Sequence, residues 1–278
     1  MGTPFISLLE PTRLDGYDRT KPHTQQPSHI PPLFIDAMEV RETVFVTEQQ
    51  WPLECEHDAD DARSCHWVTY ASVNRTTRAE VRDPTTNEVT QPRQSETRSM
   101  PIGTLRIVPF PHPPHPPPGG RYVDGELQQE ADDEVHASPA DERRENADMP
   151  FGNDRATTFH DGREPYVGVG RVAVVPEFRG HRVADQLWAA AKRWLEENPA
   201  YFNPSVSSLG MDRLEAAAAT DIPKWNGLVC THAQEAVVKV YQRWGFQVDE
   251  GMGKWTEQGI PHVGMFMRLQ VKETDPKI

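Results

Sequence analysis

Between a β-branched apolar run ending at Val175 and an amphipathic segment beginning at Val183 lies Arg179-Gly180-His181-Arg182-Val183-Ala184. A helix starting here would turn its free backbone N–H groups and the positive end of its dipole toward the turn, which suits a phosphate or pyrophosphate. Neither GxxxxGKS/T nor GxGxxG occurs at this turn, so a P-loop or Rossmann nucleotide site is disfavoured. Other groups of reactive residues are weaker. His57, Asp58, Asp60, Asp61 and His66 have metal-ligand types but lack the Gly and Glu spacing of a calcium loop, and they read as turn caps. His112 and His115 sit in a proline-rich stretch without a rigid element, so no metal is expected there either. Cys230 and His232, two apart in a strand, point to opposite faces and make a poor nucleophile–base dyad.

Composition limits what these groups can serve. The chain has 278 residues, 26 of them Pro, and a formal net charge of −13. Clustered cations for nucleic acid are missing, and so is an apolar run of membrane-spanning length or a basic leader followed by one. Neither nucleic acid nor membrane is expected as a partner. Three cysteines without a CxxC pair or an even-numbered framework fit a reducing compartment, so a cytoplasmic location is expected, with the nucleus left open. From Asp124 to Glu164 there are 13 acidic residues against four Arg, so this stretch carries −9 of the total charge and says little about the substrate.

The elements that would position the turn follow from periodicity. Phe34–Gln49 has apolar residues at helical spacing, Cys65–Val73 and Ile102–Val108 read as strands, and Tyr166–Val175 reads as a central strand buried on both faces. Val183, Leu187, Trp188, Ala191, Trp194 and Leu195 define an amphipathic helix running to about Asn198. A second strand–helix unit follows, Gly227–Cys230 and then Ala233–Trp244, stopped by Gly245. Phe246–Val248 and His262–Leu269 read as closing strands, and Met211–Thr220 as an additional helix. The expectation is an α/β (α+β) single domain, residues 31–271, with a mixed central sheet flanked by helices. It carries polar insertions at 74–99, read as an extended loop or hairpin tip, and at 109–165, which is too polar to order unless it lies on a folded neighbour. Residues 1–30 read as an extension and 272–278 as a tail.

Three separated blocks resemble the GNAT N-acetyltransferase superfamily. Residues 170–187 resemble its strand–turn–helix segment with the Arg/Gln-x-x-Gly-x-Gly/Ala hallmark, although Arg182 stands at the central Gly. Residues 40–70 resemble its N-terminal helix and acceptor loop. Residues 228–251 with 259–269 resemble its last strand–helix–strand unit, including Val-Tyr-Gln-Arg-Trp-Gly-Phe at 240–246. The Pro-His-rich and acidic insertions are similar to those of fungal members.

The resemblance implies acetyl-CoA bound in an opening between two parallel central strands, and direct transfer of its acetyl group to a primary amine without a covalent enzyme intermediate. The pantetheine would lie on Val172, Ala173 and Val174, with the pyrophosphate on Arg179, Gly180, His181, Arg182, Val183 and Ala184 and His232 close by. Tyr241 matches the thiolate-protonating tyrosine. Glu48 and Glu164 are candidates for the base, with His160 beside the latter; Arg41, Glu48, Gln49, Arg171 and His262 are candidates for contacting the acceptor. Arg171, a charge in a central strand, should meet a carboxylate or the ligand. The acceptor is expected to be a small molecule such as an amino sugar, polyamine or amino-acid-like amine, with no metal required and a homodimer left open. The alternative is a catalytically idle acyl-CoA-binding module that offers PxxP segments of Pro111–Pro118 to a partner; protein-lysine acetylation is a weaker third reading.

Overall fold

The computed structural model describes residues 5–123, 125–128, 154–203 and 224–271. The runs of β-branched and aromatic residues form strands, in chain order β1 (Phe5–Leu9), β2 (Cys65–Arg78), β3 (Val81–Arg82), β4 (Val89–Gln91), β5 (Gln94–Val108), β6 (Arg121–Val123), β7 (Glu126–Leu127), β8 (Val167–Val174), β9 (Leu228–Gln234), β10 (Gln247–Val248), β11 (Lys254–Glu257) and β12 (Ile260–Arg268). A ten-stranded sheet runs in the order β1-β2-β5-β8-β9-β12-β11-β6-β7, with β10 also on β12; β3 and β4 form a separate ribbon. All pairings in the large sheet are antiparallel except β8–β9 and β6–β11.

Among the described residues four α-helices accompany it: α1 (Pro32–Arg41), α2 (Leu53–Glu56), α3 (Val183–Glu197) and α4 (Val238–Trp244). Pro32 is pre-organised for a first helical turn, and α1 passes directly into wider π-helical turns at Glu42–Glu48. α3 buries Val183, Leu187, Trp188, Ala191 and Leu195, the stripe read from the sequence. β2 alternates between two layers. Val68 and Tyr70 pack with Ala37 of α1, while Trp67 meets Trp194 of α3 edge-on at 5.7 Å, so the two helices cover opposite faces of the sheet. Gly103 of β5 lies under α3, where a Cβ would come within 2.8 Å of Val183 and 3.2 Å of Leu187.

Several expectations need adjusting. Residues 5–30 belong to the fold: β1 pairs with β2 from Phe5↔Tyr70 to Leu9↔His66, and Leu14 and Ile30 pack on Phe34 and Met38. Residues 74–99 extend β2 and β5 into a long exposed hairpin. The described part of 109–165 lies on the sheet, through pairing of β6 with β11 and burial of Phe110, His115 and Tyr122. Ala233 continues β9 opposite Val263 rather than opening a helix, because β12 supplies a partner as far as Gln234. β8 is buried on one face only, since Gly168, Gly170, Val172 and Val174 line a cavity. Met211–Thr220, residues 129–153 and the tail lie outside the described residues. Among the described residues no helix is long and apolar enough to cross a membrane.

Candidate active site

The cavity originates in an interrupted pairing. Parallel β8 and β9 are in register at Val167↔Val229, Gly168↔Cys230 and Val169↔Thr231, and the pairing ends there. On the other side of β8 the register with β5 jumps from Thr104↔Ala173 to Arg106↔Gly170, so Arg171 and Val172 oppose a single residue. This is a β-bulge, with Arg171 at φ +49°, and a bulge bends and re-aims its strand. β8 therefore turns from β9 and leaves the β9-facing backbone of residues 170–174 bordering a cavity of about 1210 Å³. Small-molecule sites usually occupy roughly 300–1,000 Å³, so both a donor and an acceptor can enter. Gly170 meets nothing within 4 Å of its would-be Cβ, so a side chain there would project into open space.

One end of the cavity lies at the N-terminus of α3. Gly180 at φ +79° and Arg182 at φ +60° turn the chain so that α3 begins at Val183, with no side chain capping its first amides. Arg182 occupies the left-handed region that suits a glycine, which accounts for the glycine expected there. Its side chain is 82% exposed and pairs with Asp185 at 3.0 Å. Arg179 and Ala184 line the cavity; Gly180, His181, Arg182 and Val183 do not, and His181 lies in a separate shallow depression. Arg179 forks onto Glu48 with Nη1 to Oε1 at 2.7 Å and Nη2 to Oε2 at 2.5 Å. Those bonds hold the Glu48 carboxyl below its usual pKa, so it stays ionised at the donor end.

Tyr241, carried by α4 against β9 and 6% exposed, also lines the cavity. Burial raises its pKa, and the adjacent Thr231 hydroxyl opposes that only in part, so the phenol stays protonated at neutral pH. Val172, Ala173 and Val174 line the wall of β8 facing the opening, and His232 lines the side formed by β9.

The acceptor-side candidates divide. Gln49, Arg171 and His262 line the cavity, and Gln49 pairs with Gln234 at the end of β9, Gln234 Nε2 donating to Gln49 Oε1 at 2.9 Å. The His262 Nδ1 lies 2.8 Å from the Ile260 carbonyl oxygen, which can only accept, so Nδ1 carries the proton and Nε2 is the basic nitrogen. Arg41 is not brought to the cavity. It is fully buried, with Nε donating to Glu56 at 2.6 Å and Nη1 to Asp61 at 2.7 Å. Arg106 and Arg171 join the same network through Asp58, Asp61 and Glu56. Burial alone would raise the Asp61 carboxyl; Arg41 and Arg106 overcome this and hold it well below the usual range. The carboxylates of the 57–61 stretch are thus counter-ions, and Arg171 meets carboxylates as its strand position demands. Glu164 is likewise off the cavity, in an ion pair with Arg268 at 2.6 Å, and His160 is buried against His115.

Other lining residues were missed by sequence reasoning. Tyr17 and Arg19 come from the segment read as an extension, and Tyr17 stacks on His57 at 4.5 Å. His112 stacks on Tyr166 at 4.3 Å and bonds the Tyr166 carbonyl at 2.9 Å. Glu54, Asp60, Glu126 and Glu257 also line the cavity. His112 and Asp60 stood out in the sequence, in the His112/His115 pair and the 57–61 stretch; the rest come together through chain crossings that local spacing does not encode.

No protein-family model and no curated protein matches the sequence. Among solved structures the chain is similar to a candidate N-acetyltransferase from Lactobacillus plantarum (17% identity, TM-score 0.46, covering 97% of this chain and 100% of that one). It is also similar to ElaA from Escherichia coli (16%, 0.43, 96% and 100%) and to an acyl-CoA N-acyltransferase from Pseudomonas aeruginosa (16%, 0.41, 95% and 99%).

Proposed function

We propose that this chain is an acyl-CoA-dependent N-acyltransferase of the GNAT superfamily, with acetyl-CoA as donor and a small primary amine as acceptor. The observation that carries the reading is the parting of β8 and β9 at a bulge, beside the uncapped N-terminus of α3 and with a protonated tyrosine in the same cavity. The β9-facing backbone of residues 170–174 offers the pantetheine amides the bonds of an added strand, and the first amides of α3 with Arg179 receive the pyrophosphate. The amine nitrogen attacks the thioester carbonyl carbon, the carbon–sulfur bond breaks, and Tyr241 gives its proton to the departing thiolate. His262 Nε2 accepts the proton that the amine loses. Glu54, Asp60, Glu126 and Glu257 on the lining favour a cationic acceptor.

The idle-module reading is opposed by how the proline-rich run is held. Arg155 Nη2 donates to the Pro116 carbonyl at 2.7 Å and His112 is stacked on Tyr166, so the segment is anchored rather than offered as an open polyproline ligand. The test is thiol release from acetyl-CoA with a panel of amino sugars, diamines, amino acids and a lysine peptide. Saturable acetylation of at least one small amine is expected. Turnover with the peptide alone would overturn the acceptor class, and bound acetyl-CoA without turnover on any amine would overturn the enzyme reading.

A further inference from the structure

Behind the cavity, on the side of Tyr166 and Phe266, three ligand-type side chains converge that the proposed transfer does not use. His115 Nε2 lies 2.9 Å from His160 Nδ1 and 3.5 Å from Asp154 Oδ2, and the three atoms all fall within 4.8 Å of one another. With metal–ligand bonds of about 2.0–2.1 Å, a tetrahedral edge is about 3.3 Å, between the two shorter separations. His115 and His160 are 3% and 4% exposed, and their rings pack against Tyr166 and Phe266. The orientation of His160 is fixed from outside: its Nε2 must carry a proton, because it bonds the Glu164 carbonyl oxygen at 2.9 Å, so Nδ1 presents its lone pair to the cluster. A backbone carbonyl on the far nitrogen is the usual arrangement behind a metal-ligating histidine. His115 has no such partner on Nδ1, which makes His160 and Asp154 the better-held pair.

We propose that His115, Asp154 and His160 bind a divalent transition-metal ion of the Zn²⁺ type, which fastens the two ends of the 109–165 insertion to each other against the sheet. Two imidazoles and one carboxylate are a donor set such ions favour over Mg²⁺ or Ca²⁺. The ligands come from the proline-rich arm before the long acidic stretch and from the arm after it, so one ion closes the insertion at its base. The sequence alone gave no reason to expect a metal, because His115 finds its partners some 40 residues further along the chain.

The test uses full-length protein stripped with a chelator and needs no enzymatic turnover, so it stands apart from the transferase reading. Zn²⁺ is titrated by calorimetry, Co²⁺ is followed by its visible d–d absorption, and limited proteolysis follows the insertion with and without Zn²⁺. One equivalent of Zn²⁺ should bind and slow cleavage at both arms, with affinity falling at least about 10-fold in His160→Ala and in Asp154→Asn. Asp154→Asn keeps the side chain's shape and one of the two oxygens that serve the Arg155 and His115 amides, and urea unfolding of each variant without Zn²⁺ identifies any loss of folding as the cause. Absence of stoichiometric Zn²⁺ binding, or equal binding by the wild type and Asp154→Asn, would overturn the site and leave a metal-free hydrogen-bonded latch.

Discussion

Arg182 shows how one backbone angle changes the meaning of a residue. In the sequence it threatens a pyrophosphate site, because a long side chain stands at a position associated with glycine. In the structure its φ is +60°, and the side chain points outward to Asp185, so the cost is local strain rather than a blocked site. Replacing it with glycine relieves roughly 1 kcal/mol of left-handed strain and returns about half of that as added freedom of the unfolded chain. Arg182→Gly should therefore gain about 0.5 kcal/mol in urea unfolding and retain acetyl-CoA affinity. Glu48 lines the cavity, but the sequence could not reveal Arg179 as its partner, which lies 131 positions away.

At the scale of elements, the strands and helices that place the cavity were largely legible because their periodicity is strong, as the buried stripe of α3 shows. The bulge in β8 was not, since a register shift depends on how β5 pairs and no local pattern encodes it. Gly170 beside the bulge gives a direct test. Gly170→Leu should fold with stability within about 0.5 kcal/mol of the wild type, yet lose acetyl-CoA binding in calorimetry, because its side chain would occupy the space between the strands. The ionic network behind the bulge is a second element-scale feature that periodicity hides; Arg41 read as an acceptor contact because burial is invisible in one sequence. Arg41→Met leaves the buried Glu56 and Asp61 with only Arg171 and Arg106 as counter-ions and should cost about 3 kcal/mol in denaturant unfolding. Asp58 and Asp61 have depressed folded pKa values. Their contribution is therefore full above the ordinary carboxylate value of about 3.9 and is lost as pH falls below it, toward the lower folded values. Wild-type stability should drop steeply below about pH 4, and Arg41→Met should show a shallower drop there.

For the whole molecule, composition marks the polar and proline-rich stretches but does not show what they do. The N-terminal segment supplies an edge strand and Tyr17, and the proline-rich arm supplies His112 and a wall of the cavity. Both are polar enough to read as dispensable and are ordered only by lying on the sheet, a tertiary effect. The assembled molecule brings a backbone opening, a helix N-terminus and a protonated phenol into one cavity, and the central claim is that this cavity performs direct acyl transfer. The most direct measurement is the rate of thiol release from acetyl-CoA with the best acceptor amine, compared between the wild type and Tyr241→Phe at one neutral pH. The account predicts turnover by the wild type and a kcat about 10²–10⁴-fold lower in the variant, with the acetyl-CoA dissociation constant unchanged. Equal rates in the two proteins would contradict it.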